Sequence, residues 1–354
     1  MKALGPFDNY LIHEFVDNYR DGTMSRRDMI RRVIYITGGV ASAAAALTAM
    51  GIAPMTRAAM GQETTPTVSA EPQSPLSIPA DDPRVVGSEI LIPVQDGSEI
   101  MAYQALPSST GTPEAMGTPE MASPTAMAGL PLVLVCHESR GLTEHIRDVV
   151  RRWAVEGYAA CALDVLSREG GTGAIADQAE IPGLLSEIDP SRHVGDFIDA
   201  RAYYEGVDGV DASRAGMIGF CFGGGITWRV ATQMAELDAA APFYGPPPDL
   251  AEVPNIEAAV LAVYSDDPGD FANEGREELE QALTEAGVTF QINVYPGTQH
   301  AFHYDTGQRY VEEASLQAWG RHGRVVRRVH LTITCRLYQR CPGAFAGASF
   351  LYTV

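Results

Sequence analysis

From residue 132 onward, short uninterrupted apolar runs alternate with stretches of helical period, and this alternation narrows the fold more than any other feature of the chain. Residues 132–136 read Leu-Val-Leu-Val-Cys, the composition of a strand covered on both faces. The pattern continues as a helix near 146–156, a strand at 158–163, a helix near 194–204 and a strand at 215–220. It then gives a helix over 223–234, strands at 239–244 and 259–264, a helix over 274–286 and a strand at 289–295. Strands separated by helices predict an α/β domain with a mostly parallel central sheet and helices on both faces, spanning residues 84–319. Residues 88–93 and 99–105 flank the turn Gln95-Asp96-Gly97-Ser98 and predict a hairpin ahead of it.

Composition excludes some roles. With 45 acidic against 25 basic residues the formal charge is −20, which repels nucleic acid and anionic lipid surfaces. An anionic substrate would need local Arg or Lys to offset that field. The five cysteines, at 136, 161, 221, 335 and 341, form no C-x-x-C pair and no metal-ligand spacing. Cys136 and Cys161 lie within apolar runs and read as small buried residues.

Outside the core domain the sequence is biased. Residues 25–31 read Ser-Arg-Arg-Asp-Met-Ile-Arg and precede the uncharged stretch 33–53, so residues 1–60 resemble a twin-arginine export signal. About 20 uncharged residues can also span a bilayer, so cleavage and membrane anchoring both stay open. Residues 61–83 are rich in Thr, Pro, Ser and Glu and read as a tether. Residues 108–128 contain the near-duplication Gly111-Thr-Pro-Glu and Gly117-Thr-Pro-Glu and read as a flexible insertion. The last stretch, 320–354, holds six arginines and no acid, and reads as an unrelated extension or a shifted reading frame.

The chemistry concentrates at Gly219-Phe220-Cys221-Phe222-Gly223, directly after an apolar strand and before a helix. A sharp strand-to-helix turn strains its central residue, and glycines two positions away on each side relieve the crowding. Cys221 is therefore the candidate nucleophile; a thiol needs less activation than a hydroxyl. No Lys-Ser/Thr follows the glycines, so a phosphate loop is a poor fit. A base is expected last in chain order, and Tyr295-Pro-Gly-Thr-Gln-His300 brings His300 to a strand end, ahead of its competitor His303. The orienting acid should follow the strand ending at Tyr264, where Asp267 and Asp270 are both candidates. The oxyanion would be held by the Phe222 amide together with one from the loop after residue 136. Arg140 and Arg168 both follow strand ends and could supply the positive charge.

Four motifs together resemble the dienelactone hydrolase family: His137-Glu138-x-x-Gly141, Gly219-x-Cys221-x-Gly223-Gly224, Phe243-Tyr244-Gly245 and Gly297-x-x-His300-Ala-Phe302. The resemblance covers roughly residues 85–319. It implies an α/β-hydrolase fold and a Cys-His-Asp triad acting on an ester or lactone through an acyl-enzyme. It also implies the Ser139 amide as second oxyanion donor, Glu138 beside the thiol, and neither metal nor organic cofactor. This sequence departs from the family in the spacing of the acid after Tyr264 and in residues 170–190, which leaves the substrate open. A broader carboxylesterase or thioesterase, or an exported binding protein without turnover, are the alternative readings.

Overall fold

The computed structural model describes residues 6–20, 24–52, 71–108 and 129–320. Its centre is one eight-stranded sheet, built from β1 (Val85–Pro93), β2 (Glu99–Pro107), β3 (Leu130–Cys136), β4 (Ala159–Leu163), β5 (Val210–Phe220), β6 (Leu237–Phe243), β7 (Ala259–Ser265) and β8 (Phe290–Tyr295). The order across the sheet is β1-β2-β4-β3-β5-β6-β7-β8. Only β1–β2 and β2–β4 are antiparallel; every other neighbouring pair is parallel. Five successive residues of β3, 132–136, are buried, so both of its faces are covered, as their unbroken apolar run requires.

Between β3 and β5 the chain reverses its direction of travel across the sheet, stepping out to β4 and then back past β3. Loops at the carboxyl ends of strands on either side of such a reversal diverge and leave a crevice. The loop after β3 and the elbow after β5 flank that point. The loops after β6, β7 and β8 open on the same edge because those strands run parallel to β5.

The helices of the domain are α4 (Glu144–Val155), α5 (Ile181–Glu187), α6 (Pro190–Tyr204), α7 (Phe222–Gln233), α8 (Arg276–Ala286) and a last helix, α9, over 312–320. Helix α4 buries Ile146, Val149, Val150 and Trp153 against β2 and β4, and Trp153 packs on Trp319 of α9 with ring centres 4.9 Å apart. Helices α6 and α7 pack together over β3, β5 and β6. Every strand and helix expected of the domain from sequence appears within a few residues of its place.

Ahead of the domain the described residues include three helices. The polar lead read as the start of an export signal folds as α1 (Pro6–Arg20), followed by α2 (Arg26–Thr37) and α3 (Val40–Ala49). Leu11, Ile12, Phe15 and Val16 are buried, a helical stripe closed against the remainder of the protein. Ser25, first residue of the arginine motif, caps α2 by accepting from the Asp28 amide at 3.1 Å. Gly38 and Gly39 break the uncharged stretch, and α2 and α3 diverge by 114°; among the described residues no single helix is long and apolar enough to cross a membrane.

The described part of the expected tether, 71–83, is fastened to the domain. The Gln73 amide donates to the Asp305 carbonyl (2.9 Å) and the Ile78 amide to Asp148 Oδ1 (2.6 Å). Prolines 72, 75, 79 and 83 restrict the free chain, and the segment folds into turns closed by Ser77 N–H to the Ser74 carbonyl (3.1 Å) and Asp82 N–H to the Pro79 carbonyl (3.2 Å), so docking it costs less entropy. Residues 53–70, the insertion from 109 to 128, and the arginine-rich 321–354 with Cys335 and Cys341 lie outside the described residues.

Candidate active site

The elbow is where the sequence places it. Cys221 caps α7 with φ 58° and ψ −116°, a conformation that costs a non-glycine residue about 1–3 kcal/mol. Two backbone bonds hold it, Cys221 N–H to the Phe243 carbonyl (2.9 Å) and Gly225 N–H to the Cys221 carbonyl (3.1 Å). A side chain at Gly223 would collide with the carbonyls of Cys136 and His137, and one at Gly219 with the Gly223 carbonyl. The paired glycines are therefore a packing requirement of the turn. Phe222, whose amide is the candidate oxyanion donor, opens α7, and Ser139 sits in the turn closed by Gly141 N–H to the Glu138 carbonyl.

His300 follows the β8 turn, and its Nδ1 lies 3.0 Å from Asp270 Oδ1. Asp270 also accepts from Ser265 Oγ at 2.5 Å and from the Ala272 amide at 2.9 Å. Burial alone would raise its pKa, but the His300 charge and these hydrogen bonds outweigh it and leave the carboxyl below its ordinary value. Of the two acids left open by the sequence, Asp270 is the one brought to the imidazole. Asp267 is a turn former, accepting from the Gly269 amide at 2.8 Å. His303 goes elsewhere: its ring stacks on Phe220 (5.3 Å) and Trp319 (5.8 Å).

The carboxylate on the sulfur comes from outside the expected set. Glu14 of α1 accepts from Cys221 Sγ at 3.3 Å through Oε2 and from Ser139 Oγ at 2.8 Å through Oε1. Burial would raise its pKa, yet the charges of His300, Arg140 and Arg309 and the Ser139 hydroxyl hold it lower than usual. One helical turn on, Asn18 Oδ1 accepts from Arg309 (2.7 Å) and Arg140 (3.4 Å). Glu138 is buried nearby, its Oε1 without a hydrogen-bond partner, and burial raises its pKa. Tyr244, at φ 37°, sets its ring 5.0 Å from that of His300.

The two arginines proposed for substrate have different surroundings. Arg140 stacks on Tyr304, 4.6 Å from the ring centre, and lines a cavity of about 360 Å³ with Glu14, Arg32 and Ser139. Arg168 is absent from that lining; it is bound bidentately to Asp196 (2.9 and 2.8 Å) and also to Asp96 (2.8 Å). Its charge is paired in joining the β1–β2 turn to α6, away from the residues that line that cavity.

Glu14, Asn18 and Arg309 were not anticipated from the sequence. The signal for the first two was present in Leu11-Ile12 and Phe15-Val16, an i, i+4 apolar repeat that marks an amphipathic helix. Cys136 and Cys161 are sealed in strands, and burial pushes both thiols up, Cys161 to about 12. Among the described residues no cluster of three or more His, Cys, Asp or Glu could hold a metal.

Comparison with known proteins agrees with this architecture. Residues 119–329 match the model of the dienelactone hydrolase family. The Salmonella typhi protein named "Putative carboxymethylenebutenolidase" is 33% identical over 266 residues, 72% of this chain and 91% of that protein. An Escherichia coli K12 protein of the same name is 31% identical over the same shares. The solved "Putative Dienelactone Hydrolase" of Klebsiella pneumoniae subsp. pneumoniae superposes with a TM-score of 0.58 at 31% identity, covering 67% of this chain and 96% of its own. The chain is an α/β-hydrolase-fold enzyme and belongs to the dienelactone hydrolase family.

Proposed function

We propose that the chain hydrolyses a carboxylate-bearing lactone or carboxylic ester through Cys221, His300 and Asp270. The observation that carries this reading is that the strained elbow at Cys221 and the His300–Asp270 pair both converge on Glu14, whose Oε2 lies 3.3 Å from the sulfur and whose carboxyl feels the His300 charge. His300 takes the thiol proton on Nε2 while Asp270 holds Nδ1–H and the ring's orientation. The sulfur then attacks the carbonyl carbon, an S–C bond forms, and the resulting oxyanion is held by the Phe222 and Ser139 amides. Collapse breaks the C–O bond, and the departing alkoxide takes the proton from His300. Water, deprotonated by His300, cleaves the thioester and returns the thiol. Arg140, together with Arg309, which shares its Asn18 acceptor, supplies the positive charge that a carboxylate needs in a chain of net charge −20.

Turnover of a dienelactone and of neutral aryl esters by the wild type, Cys221→Ala and Cys161→Ala tests the assignment. Among these three proteins hydrolysis is expected to be lost in Cys221→Ala alone, and early quenching of wild-type turnover is expected to show a thioester adduct of Cys221 in mass spectra. Equal turnover by Cys221→Ala and wild type overturns it, and a preference for neutral aryl esters rejects the carboxylate-bearing substrate.

Export is a further part of this reading, supported by the Ser25 to Arg31 pattern and the uncharged residues after it. Fractionation of cells expressing the wild type and an Arg26→Lys/Arg27→Lys variant checks it; equal amounts outside the cytoplasm reject it.

A further inference from the structure

We infer that α1 is an inhibitory strap, with Glu14 occupying the place that substrate must take. The inference rests on Cys221 being the nucleophile. An attacking sulfur needs a carbonyl carbon at about 3–3.5 Å. That position beside Sγ is filled by Glu14 Oε2 at 3.3 Å, and Cys221 and His300 are only 1% and 2% exposed. A second competition occurs at the cations. Arg140 and Arg309 both donate to Asn18 and both favour the Glu14 carboxylate, so α1 presents to them the oxygens that an anionic substrate would present. Glu14 and Asn18 are four residues apart and therefore share one face of the helix.

The same contact holds the nucleophile in its resting form. A thiol has one proton, and Sγ donates it to Glu14 Oε2 at 3.3 Å, so it is turned from any other acceptor. With α1 docked, the cavity lined by Arg32 and Arg140 reaches Glu14 and Ser139, but the carboxylate stands between it and the sulfur. Turnover requires Glu14 to withdraw. Its backbone is anchored through Leu11 and Phe15, which are 0% and 1% exposed, so withdrawal is coupled to undocking of α1.

The test uses the full chain with Leu11→Asp, Phe15→Asp and, separately, Glu14→Ala. The first two loosen α1 without touching the reacting groups, and the third removes the carboxylate alone. Alkylation of Cys221 by iodoacetamide, located by peptide mass spectrometry, and ester hydrolysis are followed in parallel. Each variant is expected to alkylate about tenfold faster or more, because a competent form that is a minor fraction scales the rate by that fraction. Hydrolysis should rise with it. Alkylation at the wild-type rate in Glu14→Ala and in whichever loosened variant stays folded overturns the strap. Faster alkylation with lower hydrolysis also overturns it, since α1 would then be a working wall of the site. Faster alkylation without hydrolysis in any protein, wild type included, rejects the triad and with it the inhibitory role of α1, whereas unchanged alkylation in a chain that does hydrolyse esters rejects the strap alone.

Discussion

His300 Nδ1 and Asp270 Oδ1 stand 3.0 Å apart with both side chains almost fully enclosed, so the imidazole's orientation is set by a carboxylate that water does not screen. Asp270→Asn removes that charge and reverses the hydrogen-bond demand on Nδ1. We expect kcat to fall by about 10²–10⁴-fold with KM little changed, as for other acids that orient a catalytic histidine. Asp267→Asn, altering only an exposed turn, should stay within a few-fold of wild type; steady-state kinetics on both variants is the measurement.

The acid limb of stability follows from the same pair and from a second one. Asp305 joins His145 at 2.8 Å and Arg152 at 2.5 Å; burial opposes its charge, but these partners outweigh it and hold its pKa far below the ordinary carboxylate value. A carboxyl whose pKa is lower folded than unfolded stabilises the fold above its unfolded value. That contribution is lost as pH falls from about 3.9 through the folded value. Asp305→Asn should therefore lower stability by about 3–5 kcal/mol at neutral pH, since it leaves Arg152 and His145 short of a buried partner. Its dependence on pH below about 4 should be flatter than that of the wild type; urea unfolding between neutral and acid pH checks both.

Arg140 and Arg168 offer a contrast in one experiment. Arg140→Leu should raise KM for a carboxylate-bearing lactone by about 10–100-fold, the worth of a charged hydrogen bond, and leave a neutral aryl ester nearly unaffected. Arg168→Leu should leave both KM values unchanged and lower the melting temperature, because its partners Asp96 and Asp196 lie in the frame of the domain. Equal KM effects from the two variants would reverse the assignment.

Gly223→Ala should yield protein that is insoluble or inactive. Its methyl group would press into the carbonyls of Cys136 and His137, which are backbone atoms of the neighbouring strand and cannot turn aside. Soluble expression together with wild-type activity is the outcome that excludes this account of the elbow.

How much of this was legible in the sequence depended on range. The strands were readable because burial on both faces demands unbroken apolar runs such as Leu132 to Cys136, and the elbow because its glycines answer a local steric demand. Choosing Asp270 over Asp267 needed the coordinates, since the two differ by three residues within one loop and only tertiary placement of His300 separates them. For Glu14 the helix was legible in its apolar repeat but the contact was not. Its partner Cys221 lies 207 residues away, and nothing local to residues 11–18 says which surface the helix meets. Arg140 and Arg168 looked alike because a cation after a strand end reads the same in sequence whether it lines a cavity, as Arg140 does, or pairs with an internal acid, as Arg168 does with Asp196.

The left-handed backbone at residue 221 makes the elbow a socket whose aim is fixed before any side chain is fitted into it. Phe243 and Gly225 grip the peptide on either side, so the Cα–Cβ bond of Cys221 takes its direction from the main chain and only one side-chain rotation is left to place the sulfur. A socket of this kind accepts oxygen in place of sulfur without rebuilding. What would change is how strongly the imidazole must pull on the proton, so reactivity at this position can be retuned while the surrounding architecture stays as it is.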